Sequence, residues 1–119
     1  MRTTFDIPKD LRDSMETARE REGYSVKQKS RWICEAVLAL RQEDPAGLTV
    51  GWAEDLSRSD SNPNIKMPLN TTQEVLDVIK DIKISIRQDH PESEGIVGQV
   101  IRAAIRKRIK YGLPTGVSA

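Results

Sequence analysis

One order of elements occurs twice within 119 residues, and that repeat limits the fold more than any other feature of the chain. Arg2-Thr3-Thr4-Phe5-Asp6-Ile7 alternates polar and apolar residues and stops at Pro8, the pattern of a short half-buried strand. A helix is expected next: Leu11, Met15 and Ala18 share one face, Asp10 and Asp13 sit in the first turn, and Gly23 supplies the stop. Ser25 is then a candidate N-cap for a longer helix with Val26, Ile33, Ala36, Val37 and Leu40 on its apolar stripe, ending near Asp44-Pro45. From Pro45 to Pro63 the composition shifts to Gly, Ser, Asp and Pro, although Leu48, Val50, Trp52 and Leu56 are apolar enough to lie across a core. The order then returns. Ile65-Lys66-Met67-Pro68-Leu69 alternates, and Thr71-Thr72-Gln73-Glu74 reads as a capping box for a helix striped by Val75, Ile79, Ile82 and Ile86. That helix should end around Asp89-His90-Pro91. Ser93 can cap another, running through Ile96, Val97, Val100, Ile101, Ala104, Ile105 and Ile109 to Tyr111-Gly112.

The repeat extends to positions. Phe5-Asp6-Ile7-Pro8 aligns with Ile65-Lys66-Met67-Pro68 at an offset of 60, and Ile33, Val37 and Ser25 align with Ile101, Ile105 and Ser93 at an offset of 68. The difference predicts a longer first helix, or a longer approach to it, in the second half. Four segments follow: a strand-helix-helix unit over 1–44, a linker over 45–63, a second unit over 64–112 and a tail over 113–119.

A unit of about 45 residues with one strand cannot bury enough surface alone, and its strand would leave backbone donors and acceptors unpaired. The other unit supplies the partner. The expected fold is therefore mostly α with a two-stranded antiparallel ribbon, the two units forming an intramolecular pseudo-dimer. Pairing the strands puts Phe5, Ile7, Ile65 and Met67 on one face, against Leu11, Met15, Ile33, Val37, Val75, Ile79, Ile101 and Ile105. Arg2, Thr4, Asp6, Asn64 and Lys66 then share the opposite, polar face.

Net charge is only +1, but its distribution is uneven. Residues 1–60 carry ten Lys and Arg against twelve Asp and Glu, whereas residues 61–119 carry nine against six. The densest basic run is Arg102, Arg106, Lys107, Arg108 and Lys110, which by itself reads as a solvated helix face with cations at its C-terminal end. No apolar run reaches the ~20 residues of a membrane span, and Met1 to Ile7 lacks the apolar core of a secretory signal, so a soluble, cytosolic protein is expected. A single cysteine and a single histidine make neither an internal disulfide nor a zinc site. No catalytic Ser, His and Asp grouping and no phosphate loop are present, and Gly95-Ile96-Val97-Gly98 reads as the start of a helix. Neither an enzyme nor a cofactor is expected. Cys34, beside Trp32 and Ile33, reads as a packing residue and not a nucleophile.

A strand of about six residues ending in proline, a helix, a glycine turn, a serine cap and a longer helix resembles the ribbon-helix-helix family of bacterial DNA-binding proteins, the group of the Arc and MetJ repressors. The resemblance covers residues 2–43 and again 64–111, and the tandem arrangement is similar to TraY-type members from plasmid conjugation systems. It implies that the paired strands enter the major groove of double-stranded DNA while four helices interlock beneath them. A role follows as a transcriptional regulator or a DNA-organising accessory, in a relaxosome or in partition, of a plasmid or conjugative element. Further copies side by side on DNA, a relaxase or another plasmid protein are the implied partners.

A two-stranded ribbon fits a groove about 12 Å wide, and alternate residues can meet successive base edges. Arg2 and Lys66 suit guanine, Asn64 suits adenine, Thr4 suits either purine or pyrimidine partners, and Asp6 can accept from cytosine or orient a neighbour. An exposed ribbon face kept polar for solubility is the plainer account of any one strand; the repeat favours reading. The helix starts at Ser25, Val26, Lys27 and Lys29, and at Ser93, Glu94 and Gly95, are candidate phosphate anchors. The alternative is an antitoxin-like or adaptor protein whose main partner is another protein. Such proteins usually carry a long tail that folds on the partner, and Leu113 to Ala119 is short.

Overall fold

A computed structural model of the chain describes residues 2–40, 64–89 and 96–112. The elements are β1 (Arg2–Pro8), α1 (Lys9–Arg21), a 3-10 turn (Val26–Gln28), α2 (Lys29–Ala39), β2 (Asn64–Asn70), α3 (Gln73–Asp89) and α4 (Ile96–Tyr111). The described residues are mostly helical, with one two-stranded antiparallel sheet, β1 against β2. The linker expected over 45–63 with Trp52, the tail expected over 113–119 and the expected cap and phosphate anchor at Ser93, Glu94 and Gly95 lie outside the described residues.

Local chemistry accounts for most boundaries. Gly23, at φ +83, ends α1 in the left-handed conformation that costs glycine nothing. The Gly23 amide donates to the Glu20 carbonyl and the Tyr24 amide to the Arg19 carbonyl, so two terminal carbonyls of α1 find partners. After the turn, the Ser25 amide donates to Gln28 Oε1 at 2.9 Å, and a 3-10 turn precedes α2. Val26, expected on the apolar stripe, therefore points away from it and is exposed. At the start of α3 the cap sits one residue later than the expected box: Thr72 Oγ1 accepts from the Val75 amide, and Thr71 is buried.

Register corrects the first reading of the strands. Phe5 pairs with Met67, Asp6 with Lys66, Thr4 with Pro68, Arg2 with Asn70 and Pro8 with Asn64. Phe5, Ile7, Met67 and Leu69 are the buried positions, and Ile65 is only partly buried against them. By burial, Phe5 thus corresponds to Met67 and Ile7 to Leu69, an offset of 62 in place of 60. Pro68 is inside β2 and not at its end. Each strand of a two-stranded ribbon has one unpaired edge, which lets an imino acid stand within it. The later offset of 68 is reached through the Thr71-Thr72 connection and a longer first helix, 17 residues in α3 against 13 in α1.

The helices beneath the ribbon cross between the two segments. α4 packs on β1, α1, α2 and α3, while α2 packs on β2, α3 and α4. Met15, Trp32, Ile33, Val37, Leu69, Val75, Val100, Ile101 and Ile105 are buried almost completely in one shared core, which also takes in Val78. No described helix is long and apolar enough to cross a membrane.

Candidate nucleic-acid interface

The outward face of the ribbon gathers Arg2, Thr4 and Asp6 from β1 with Lys66, Pro68 and Asn70 from β2, all exposed. Asn64 occupies the register position opposite Pro8. The face is cationic at Arg2 and Lys66, but Asp6 lies directly across from Lys66, so positive charge concentrates toward the Arg2–Asn70 end. Asn70 is not among the expected readers; its signal is the alternation of Ile65, Met67 and Leu69, which puts the next residue on the polar face.

Two braces hold this face from below. The Arg102 guanidinium on α4 donates through Nη1 to the Asp6 carbonyl, and the Asn70 amide donates to Ser30 Oγ at 3.1 Å while Cys34 Sγ donates to the Asn70 carbonyl at 3.4 Å. Each brace therefore runs from the second helix of one segment to the strand of the other. Burial, and then the charge of Glu35, push the Cys34 thiol above its ordinary pKa, which fits its packing role.

On the flank, Ser25, Val26 and Lys27 are exposed, whereas Lys29 is drawn into an ion pair with Glu16 at 2.7 Å. Glu16 also accepts from Arg19 Nη2 at 2.7 Å. Partial burial alone would raise its pKa, but the hydrogen bonds and charges of Lys29 and Arg19 outweigh that and hold the carboxyl below its ordinary value of 4.5. A lowered carboxyl pKa contributes stability that is full above 4.5 and disappears as pH falls through the folded value. Thermal unfolding followed from about pH 6 down to about pH 3 should show a smaller acid loss in Glu16→Gln than in the unmodified protein. Equal losses would mean that the cluster is not coupled to folding.

The basic run of α4 is not the solvated face expected of it. Arg108 is 4% exposed and Arg106 is 9% exposed, Arg102 and Lys107 are half-buried, and only Lys110 of the run is exposed. Arg108 donates to Glu22 Oε1 at 2.9 Å and to the Trp32 carbonyl at 2.7 Å, approaches Glu35 Oε1 at 3.4 Å, and stacks 4.5 Å from the Trp32 ring centre. Tyr24 Oη and Trp32 Nε1 complete the cluster by donating to Glu35 and Glu22. Burial would lower the Arg108 pKa, but Glu22 and Tyr24 keep it above the ordinary arginine value, so the charge is permanent. Searches of protein-family models, of curated proteins and of solved structures find no match to this chain.

Proposed function

We propose that the chain binds double-stranded DNA by inserting the β1–β2 ribbon into the major groove, as a single-chain pseudo-dimer of two ribbon-helix-helix units. The observation that carries this reading is the ribbon itself: two strands of one chain, paired in antiparallel register over seven residues, with an apolar face on the core and a polar, partly cationic face outward. A lone exposed two-stranded ribbon is a marginal element in water, and its width matches a major groove. Crossed packing of α4 on β1 and α2 on β2 supports treating the segments as two interlocked units. The fitting role is a transcriptional regulator or a relaxosome or partition accessory of a plasmid or conjugative element, acting in the bacterial cytoplasm.

Because the ribbon and core are completed within one chain, sedimentation at micromolar concentration should give a monomer. A stable dimer would contradict the single-chain arrangement. Binding to a random duplex pool should weaken with salt, log K falling by roughly 0.9 per phosphate neutralised per tenfold rise in salt. Lys27→Ala should reduce that slope by about one and weaken all sequences alike. Lys29 is the poorer probe, since it also anchors Glu16. Absence of duplex binding at low salt would overturn the proposal.

A further inference from the structure

On the third residue of α4, Gly98 leaves open the space that the Arg102 guanidinium occupies: a Cβ built there would stand 2.9 Å from Arg102 Nη1. From that place Arg102 reaches the Asp6 carbonyl on β1. The corresponding places on α2, at the offset of 68 that relates the second helices of the two segments, are Ser30 and Cys34, which hold Asn70. One end of the ribbon is thus tied by a neutral hydroxyl and thiol to Asn70, opposite Arg2, and the other by a charged guanidinium to Asp6, opposite Lys66. One end therefore depends on a single charge-assisted bond and the other on two neutral ones.

From this pairing of a bare backbone and a long donor we infer that Gly98 and Arg102 act together as a positioning device for the Asp6–Lys66 end of the reading face. Arg102 sets where β1 stands above α4, and the bare backbone of Gly98 lets the guanidinium lie against the helix; a Cβ there requires this flexible side chain to shift, at the expense of its hydrogen bond to β1. Glycine inside a helix costs up to about 1 kcal/mol relative to alanine, so a purely helical role would make Gly98→Ala stabilising. The positioning role predicts the opposite sign locally. The inference rests on the DNA-reading proposal only for its consequence at the bases; the brace can be measured without DNA.

Amide hydrogen exchange on the full chain separates the two. In Gly98→Ala, which keeps the arginine, and in Arg102→Met, which removes it, ladder amides of residues 5–7 and 65–67 should exchange about fivefold to tenfold faster, as loss of one charge-assisted hydrogen bond allows. Ser30→Ala should instead act at residues 69–70. Selection from random duplexes should then show relaxed preference in Gly98→Ala at the base pairs under Lys66, with those under Arg2 unchanged. Unchanged or slower ribbon exchange in both variants overturns the brace. Faster exchange together with no duplex preference even in the unmodified protein supports the brace and overturns the DNA reading.

Discussion

Arg108→Met should destabilise the protein by about 3–5 kcal/mol in urea unfolding, the largest single effect expected outside the apolar core. The replacement keeps an unbranched side chain of similar reach but takes the buried cation from Glu35, whose side chain is 10% exposed and is left with Tyr24 and the half-exposed Arg31 at 3.5 Å, and from Glu22, whose side chain is 33% exposed and keeps Trp32 Nε1. Glu22 can turn partly to water and Glu35 cannot, so most of the loss belongs to Glu35. A second replacement tests that assignment: adding Glu35→Leu should recover part of the loss, because it removes the carboxylate that has lost its buried cation, although the Tyr24 hydroxyl then loses its acceptor. A loss below about 1 kcal/mol in Arg108→Met would show that the cluster is hydrated and not a buried link between α4 and the α1–α2 corner.

Arg2→Ala and Lys66→Ala should have the largest effect on recognition while barely touching the fold. Both side chains are exposed on the ribbon face, so each change should move stability by no more than about 0.5 kcal/mol. Discrimination against wrong bases should nevertheless fall by ~1–3 kcal/mol at one or two base pairs for each residue, since both can donate to guanine N7 and O6. The exposed β1 residues Arg2, Thr4 and Asp6 have Asn64, Lys66 and Pro68 as their counterparts by burial phase. Pro68 donates nothing, so the half-site met by β2 should carry less information at its position than the half-site met by β1 does at Asp6. Titration of duplexes altered one base pair at a time checks this; equal half-sites would contradict the register argument.

Periodicity made the element order legible in the sequence. Leu11, Met15 and Ala18, or Val75, Ile79 and Ile82, share one face only on a helix, because the step of seven would put the last of each set on the other face of a strand, and Phe5 and Ile7 share one only on a strand. Register was not legible, because Pro68 matched Pro8 by letter while the core selected Leu69 by volume and position. Two prolines look alike in a sequence whether they end a strand or stand on its free edge. The buried arginine was hidden by its neighbours in the basic run, yet its spacing carried a signal: Arg108 continues the stripe of Ile101, Ala104 and Ile105 at seven, four and three residues. Its partners Glu22, Tyr24, Trp32 and Glu35 come from a distant part of the chain, and only the tertiary fold brings their acids, rings and carbonyl to one place. For the site, alternation identified Arg2, Thr4, Asp6 and Lys66, whereas Asn70 and the brace from Arg102 depend on which strand lies over which helix.

The most direct test of the reading face is selection from random duplex DNA by the unmodified protein, by Arg2→Ala, by Lys66→Ala and by a Lys107→Ala, Lys110→Ala pair. Arg106 and Arg108 are unsuitable for that comparison, being buried. The ribbon account predicts one motif for the unmodified protein, the same motif at lower affinity at most for the lysine pair, and loss of preference at separate base pairs for each ribbon variant. A motif kept intact by Arg2→Ala and Lys66→Ala but lost in the lysine pair would contradict it.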